Sequence, residues 1–290
     1  MKQPCISVIM GVYNCPSERM LTRAVQSILD QTFRDFEFLI CDDGSQNETY
    51  QWLEKLAAKD ERIVLLRNRR NMSLAYSLNR CIEHANGLYI ARQDADDYSE
   101  PTRFAKQIDY LNNHPSVSLV GSNCNLYRGN GEIYDTRKMP LCPTRLSFLY
   151  NSPYIHGTLM LRREVFDQVG IYKMCGFCGK YEDYDLLMRI YQHKLQGVNI
   201  QECLYTFNWD LEERHIHYNE TLEELASLEK EGRIHIIRPS SPIQAAMIER
   251  DESNLERIYQ TGLLYALKPV AIMLLPHGMV TWLKRQLKRV

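Results

Sequence analysis

The stretch that decides the fold runs Cys5-Ile-Ser-Val-Ile-Met10 into Gly11-Val-Tyr-Asn14, and resumes as Phe36-Glu-Phe-Leu-Ile-Cys41 before stopping at Asp42-Asp-Gly-Ser45. Each apolar run is short, rich in β-formers and closed by turn residues, so each reads as a buried strand. Between them Leu21, Ala24, Val25, Ile28 and Leu29 recur at three- and four-residue spacing, which predicts a helix with one apolar face. Two strands joined by such a helix make a β-α-β unit, the building block of an open α/β sheet. Working outward, the pattern predicts a helix over 48–58, a strand at Ile63-Val-Leu-Leu66, a helix over 73–85 and a strand at Gly87-Leu-Tyr-Ile-Ala91. Further strands are expected at Val117-Ser-Leu-Val-Gly-Ser-Asn123, at Thr158-Leu-Met-Leu161 leading into a helix over 163–169, and over 203–207, with a helix over 185–191. In such a sheet ligands bind beyond the carboxyl ends of the parallel strands, which directs attention to 11–14, 42–45 and the residues after Ala91.

The chain has 290 residues, with 44% hydrophobic, 10% aromatic and 24% charged residues, values that exclude a disordered or fibrous chain. Lys plus Arg number 35 against 36 Asp plus Glu, so no whole-molecule attraction to nucleic acid is expected. Nine cysteines are scattered through ordinary contexts, and Met1-Lys-Gln-Pro4 opens no long apolar segment, so a cytoplasmic, reducing location is expected. Cys175-Gly-Phe-Cys178 has no second such pair to complete a zinc site.

Chemistry concentrates in Gln93-Asp-Ala-Asp-Asp97, directly after an apolar strand. Three carboxylates within four residues repel one another, and a bound divalent cation removes that cost. Hard oxygen ligands favour Mg²⁺ or Mn²⁺, ions that keep positions open for substrate phosphates. The competing reading is a solvated acidic turn that caps the helix starting near Pro101. Asp42-Asp43-Gly44-Ser45 is a second acidic turn at a second strand end; taken alone it reads as an Asx turn, but both turns face one crevice.

Ser7-Val-Ile-Met-Gly-Val-Tyr-Asn14, Ser27-Ile-Leu-Asp-Gln-Thr-Phe33, Asp42-Asp-Gly-Ser45, Asn79-Arg-Cys-Ile-Glu-His-Ala85, Ala91-Arg-Gln-Asp-Ala-Asp-Asp97 and Glu182-Asp-Tyr-Asp-Leu186 together resemble the family 2 glycosyltransferases of the GT-A fold. The resemblance spans about residues 5–210 in the correct order. It implies an α/β GT-A fold, with a Rossmann-like, mostly parallel sheet flanked by helices, and transfer of a sugar from a nucleotide-sugar, most often a UDP-sugar, with inversion at the anomeric carbon. By position, Val12, Tyr13 and Asn14 fall where the family binds the nucleotide, with Tyr13 against the base. Asp42 and Asp43 lie beside it, Asp43 accepting the imide hydrogen, and Asn71 approaches the same base. Asp94 and Ala95 lie near the ribose and the ion, and Asp96 is implied as the metal ligand. Glu182-Asp183 matches the family's acidic pair, which makes Asp183 the implied base; without the resemblance Asp183 reads as a helix cap. Glu182 and His156 fall on the acceptor side, although a lone His more often serves as a hydrogen-bonded structural residue. Asp185 belongs to the helix and its ion pairs. Where relatives carry a Tyr-Arg-x-His pattern this chain reads Phe207-Asn-Trp-Asp210, with Arg214-His-Ile-His217 later.

The expected division is a catalytic domain over 1–215 and a helical region over 216–290. Residues 263–287 mix apolar side chains with Trp282 and a basic end, Lys284-Arg285 and Lys288-Arg289, while Lys268, Pro269, Pro276 and His277 break any membrane-spanning run. Two readings fit: a basic amphipathic tail lying peripherally on an anionic membrane, or a helix packed on the catalytic domain. With the first, the resemblance implies a glycan acceptor carried on a polyprenyl diphosphate at the cytoplasmic face of the inner membrane, in bacterial capsule or O-antigen synthesis. Two other functions fit the same fold: a nucleotidyltransferase, against which the absence of a basic residue in Gly11-Val-Tyr-Asn-Cys-Pro16 argues, and a catalytically silent scaffold.

Overall fold

The computed structural model describes residues 3–128, 132–144, 147, 152–173 and 182–209. The chain divides into two compact units, of which the first holds Met1–Leu126, Tyr134–Thr144 and Ser152–Phe207. In the second, Trp209 N–H donates to the Tyr127 carbonyl at 3.0 Å. The helical region expected over 216–290, its membrane-contacting tail, the Cys175/Cys178 pair and Arg214 to His217 lie outside the described residues.

The first unit alternates as expected: β1 (Ile6–Val12), α1 (Glu18–Leu29), β2 (Phe36–Asp42), α2 (Thr49–Ala57), β3 (Ile63–Arg67), α3 (Leu74–His84) and β4 (Tyr89–Arg92). Then follow β5 (Tyr98–Ser99), α4 (Arg103–Asn113), β6 (Val117–Tyr127), β7 (Ile133–Arg137), a 3-10 turn (His156–Thr158), β8 (Met160–Arg162), α5 (Glu164–Val169), α6 (Glu182–Gln192) and β9 (Gln196–Asn208). Among the described residues the sheet order is β3-β2-β1-β4-β8-β6-β9-β5, with β7 on β6. The block β3-β2-β1-β4 is parallel, whereas β4 with β8, β8 with β6, and β5 with β9 pair antiparallel. This is the α/β arrangement that the alternating pattern predicts. Among the described residues no helix is long and apolar enough to cross a membrane.

Register places the functional ends of the strands. Val12 lies opposite Asp42, and Asp42 opposite Arg67, so β1, β2 and β3 deliver their following loops to one edge. That pairing carries β1 two residues past Met10. β4 starts at Tyr89, opposite Ile6, rather than at Gly87; Gly87 itself lies so close to β1 that a Cβ there would come within 2.4 Å of Ser7 N. The core beneath is built from Ile6, Val8 and Met10, from Leu21, Val25 and Ile28 of α1, and from Phe36, Phe38 and Ile40, all buried. Each such side chain contributes about 1.5–3 kcal/mol. α1 is capped by Ser17, whose Oγ accepts from Met20 N.

Candidate functional site

The first acidic turn is held by backbone donors. Asp43 N–H continues the ladder to the Val12 carbonyl at 2.7 Å, and its carboxylate reaches the loop before α3. There Oδ1 accepts from Asn68 Nδ2 at 2.6 Å and Met72 N at 2.9 Å, and Oδ2 accepts from Ser73 N at 2.9 Å. Three of its about four acceptor positions are thereby occupied. Asp43 thus holds Ser73 in the left-handed region at φ 88°, helped by Asn71 Oδ1 at 3.3 Å from the same N–H. Asp42 is fully buried; Oδ2 accepts from Ser45 N at 3.2 Å and pairs with Arg67 Nε at 3.4 Å, while Oδ1 has no hydrogen-bond partner. Asn14 is itself left-handed, and it clasps the next loop through its N–H on Ser45 Oγ and its Oδ1 beneath Gln46 N, both 2.9 Å. Gly44 is required at φ 73°, where a Cβ would come within 2.5 Å of the Arg70 backbone. Of this group Tyr13 is left 44% exposed, its ring open to a flat ligand, and Asn71 is exposed too; Val12 is buried.

The second acidic turn is held by a cation. Arg92, the last residue of β4, is 1% exposed and its Nη2 lies 2.6 Å from Asp94 Oδ1. Burial opposes its charge, yet Asp94 foremost, then Tyr172 and Tyr205, outweigh burial and raise its pKa. Asp94 N–H donates to Tyr205 Oη at 3.1 Å. Below the turn a buried network fixes its backbone: Gln93 Nε2 donates to the carbonyls of Asp94 and Asp97, at 3.0 and 3.1 Å. Arg103 donates to the Arg92 carbonyl at 2.8 Å and to Ser99 Oγ at 2.8 Å. The acids do not cap α4, whose N-cap is Thr102 and which has no side-chain cap bond. Ala95 is half-buried, Asp96 exposed and Asp97 buried.

Gly157 brings the 156–158 turn against this one: a Cβ there would meet Tyr205 Oη at 2.2 Å and Asp94 Oδ2 at 2.9 Å. Next to it His156 Nε2 bonds Tyr172 Oη at 2.7 Å, and burial, reinforced by Arg92, holds the imidazole well below its usual pKa and neutral. Glu182 and Asp183 open α6. Glu182 is 8% exposed with Oε2 unpartnered, and burial, then Asp183, push its carboxyl up to about 7. Asp183 accepts from Tyr184 N at 2.7 Å, and burial raises its pKa as well, against the pull of Arg92. Asp185 is a helix ion pair, 2.7 Å from Arg189 Nε.

Among the described residues no group of three or more His, Cys, Asp or Glu is arranged to enclose a metal ion. The donors at hand are the exposed carboxylate of Asp96 and the partly open one of Asp94. A sparse, all-oxygen set fits Mg²⁺ or Mn²⁺ completed by water and substrate phosphates, and does not fit a closed structural zinc site. Sequence reasoning named the acids but passed over Arg92, Arg103, Tyr172 and Tyr205. Arg92 carried a signal, an Arg closing an otherwise apolar strand; the tyrosines carried none, because only the packing of β9 and the segment after α5 brings them here.

The model for "Glycosyl transferase family 2" matches residues 7–175. The chain belongs to glycosyl transferase family 2. A second model, for a domain of unknown function (DUF6363), matches residues 209–271. EpsE of Bacillus subtilis (strain 168), which carries a glycosyltransferase name, is 38% identical over 71% of this chain and 74% of its own. The O-antigen biosynthesis glycosyltransferase WbnJ of Escherichia coli is 31% identical over 70% of this chain and 78% of its own. Among solved structures, S. aureus TarS 1–349 in complex with UDP-GlcNAc superposes with a TM-score of 0.57 at 20% identity, over 71% of this chain and 59% of that one. The chain thus spans about three fifths of that structure, and the likeness concerns the fold. This family 2 glycosyltransferase resembles enzymes of bacterial surface polysaccharide synthesis.

Proposed function

We propose that the enzyme moves a sugar from a UDP-sugar to a hydroxyl of a glycan acceptor with inversion of the anomeric centre. The observation that carries this reading is the meeting at one strand end of Asp94, fixed by Arg92, with the acceptor-side turn at Gly157, within the electrostatic reach of Glu182 and Asp183. Tyr13 offers the base a stacking face, with Asn14, Asp42, Asp43 and Asn71 shaping the surrounding loops. Asp96 would hold Mn²⁺ or Mg²⁺, which when bound supplies Lewis-acid stabilisation to the diphosphate.

The residues divide the remaining work. Asp183 takes the proton of the acceptor hydroxyl as that oxygen bonds to the anomeric carbon, while the bond to the diphosphate breaks and its electron pair leaves with the phosphate oxygen. Its raised pKa, produced by burial, makes the carboxylate a stronger base than an exposed Asp. His156, neutral and tied to Tyr172, presents a fixed polar edge on the acceptor side. The basic, apolar sequence of 263–289 and the O-antigen name of WbnJ support a lipid-linked acceptor at the cytoplasmic membrane face.

The test is thermal stabilisation by nucleotides and nucleotide-sugars with and without Mn²⁺, followed by transfer assays with Asp183→Asn. A Mn²⁺-dependent shift with UDP, and loss of transfer without loss of UDP binding in Asp183→Asn, is the expected outcome. Absence of any nucleotide shift would favour the scaffold reading.

A further inference from the structure

Two adjacent side chains in the middle of α3, Asn79 and Arg80, reach different parts of the site. Successive residues stand about 100° apart around a helix, so the two meet different neighbours. Asn79 is buried and faces the stretch 169–172 that closes α5. Its Nδ2 donates to the Tyr172 carbonyl at 2.8 Å and its Oδ1 accepts from Tyr172 N at 2.9 Å, so one amide satisfies both backbone groups of one residue. Arg189 of α6 grips the same stretch: Nη2 donates to the Ile171 carbonyl at 2.8 Å, and Nη1 to that of Gly170 at 3.1 Å and to that of Val169. A backbone clasped in this way holds one orientation, and Tyr172 sends its ring to one place. There Oη bonds His156 Nε2 at 2.7 Å and the two rings meet edge to face, 5.5 Å between centroids. His156 is half-buried, and its other ring nitrogen, Nδ1, has no hydrogen-bond partner among the described residues.

Arg80 turns instead to the loop between β3 and α3. Nη1 donates to the Arg67 carbonyl at 2.8 Å and to Asn68 Oδ1 at 2.7 Å. Asn68, its oxygen thus engaged, directs its Nδ2 to Asp43 Oδ1 at 2.6 Å and to Ser77 Oγ at 2.9 Å. Asp43 accepts in turn from Met72 N and Ser73 N, so this relay ends on the backbone that leads into α3. We infer that Asn79 and Arg80 are positioning residues, one for each end of the site: Asn79 sets His156 through Tyr172, and Arg80 sets the Asp43 carboxylate through Asn68. That the first end meets the acceptor and the second the nucleotide rests on the transferase reading; the two relays do not.

The experiment follows the two ends separately in the full chain. Ring ¹⁵N signals of His156, assigned with His156→Gln, report the bond to Tyr172, and Tyr172→Phe supplies the reference for its loss. Hydrogen exchange of the Met72 and Ser73 amides reports the Asp43 end, and calorimetry with UDP and Mn²⁺ reports nucleotide affinity. Asn79→Ser should move the His156 signals to those of Tyr172→Phe, with both amides and the UDP affinity native. Arg80→Gln should leave His156 native, speed exchange of both amides about fivefold and weaken UDP by a similar factor, the effect of losing a charge-assisted hydrogen bond one residue away. Where Asn79→Ser does not fold, Asn79→Asp takes its place, keeping the accepting half of the clasp and losing the donating half. Movement of both ends in either variant would mark α3 as merely structural and overturn the inference. Native His156 signals in a folded Asn79 variant, native amides in Arg80→Gln, or failure of both Asn79 variants to fold where Tyr172→Phe folds would overturn it too. A native chain that binds no UDP sinks the transferase reading alone, because the ¹⁵N and exchange results are read without ligand.

Discussion

The two acidic turns look alike in sequence and are built on opposite principles. In Asp42-Asp43-Gly44-Ser45 the Asp43 carboxylate is held by the N–H groups of Asn68, Met72 and Ser73, and Asp42 Oδ2 by Ser45 N and Arg67. Asp94-Ala95-Asp96-Asp97 is satisfied at Asp94 by a buried guanidinium and leaves Asp96 facing solvent. A carboxylate whose lone pairs are filled by N–H donors shapes a loop, whereas one neutralised by a single charge, or exposed to solvent, stays able to meet a ligand. The first turn therefore shapes the loops after β1 and before α3, and under the proposed function the second is where the chemistry would take place.

Substitutions should separate the two kinds. The largest expected effect is on turnover: Asp96→Ala should lower transfer at least about a thousandfold, roughly 4 kcal/mol of transition-state stabilisation, with the melting temperature unchanged. A similar loss of melting temperature would break the contrast. Asp43→Ala should do the reverse first, stranding the donors of Asn68, Met72 and Ser73 and lowering unfolding free energy by about 3 kcal/mol in a urea titration. Gly44→Ala, forced to place Cβ 2.5 Å from the Arg70 backbone at positive φ, should cost about 2 kcal/mol in the same titration.

A comparable effect comes from Glu182, a buried acid whose Oε2 has no hydrogen-bond partner. Burial lets Glu182 hold its proton up to about pH 7, its folded-state pKa being about 7 against the ordinary 4.5. A raised pKa means that the stability it favours is complete below the unfolded value and is lost as pH rises through 7. Glu182→Gln should therefore be neutral near pH 4 and stabilise the fold by about 2 kcal/mol at pH 8, which scanning calorimetry at both pH values would check. Equal stabilisation at both would mean that the native carboxyl is not proton-bearing.

The contrast also explains what sequence reading reaches. The parallel block was legible because each of its strands is a short apolar run and each helix between them shows one apolar face, both local signals. Asp43 and Asp96 were legible as acids in turns with separate implied roles, but how each turn is held was not: it depends on Met72 and Ser73 arriving opposite one turn and Arg92 beneath the other. The antiparallel part was harder. β9 runs to 13 residues where only 203–207 stood out, since its first half, Gln196 onward, alternates weakly and includes Gly197, where a Cβ would lie 2.1 Å from Tyr154 Oη. Tyr205 acquires a role only through Asp94 and Gly157, far away along the chain.

The buried network around Arg103 sets a rule for anyone who would recombine this enzyme with its relatives. Arg103 also reaches Gln93 Oε1 at 3.3 Å and Gln107 Oε1 at 3.1 Å, and Gln107 donates on to the Thr158 carbonyl at 2.7 Å. The acidic turn and the 156–158 turn are thus wired to one helix, α4, and form a single heritable module. A graft that exchanges residues 93–97 alone would take Gln93 Oε1 from the buried guanidinium and from Ser99, so a working chimera should carry Gln93, Ser99, Arg103 and Gln107 across together.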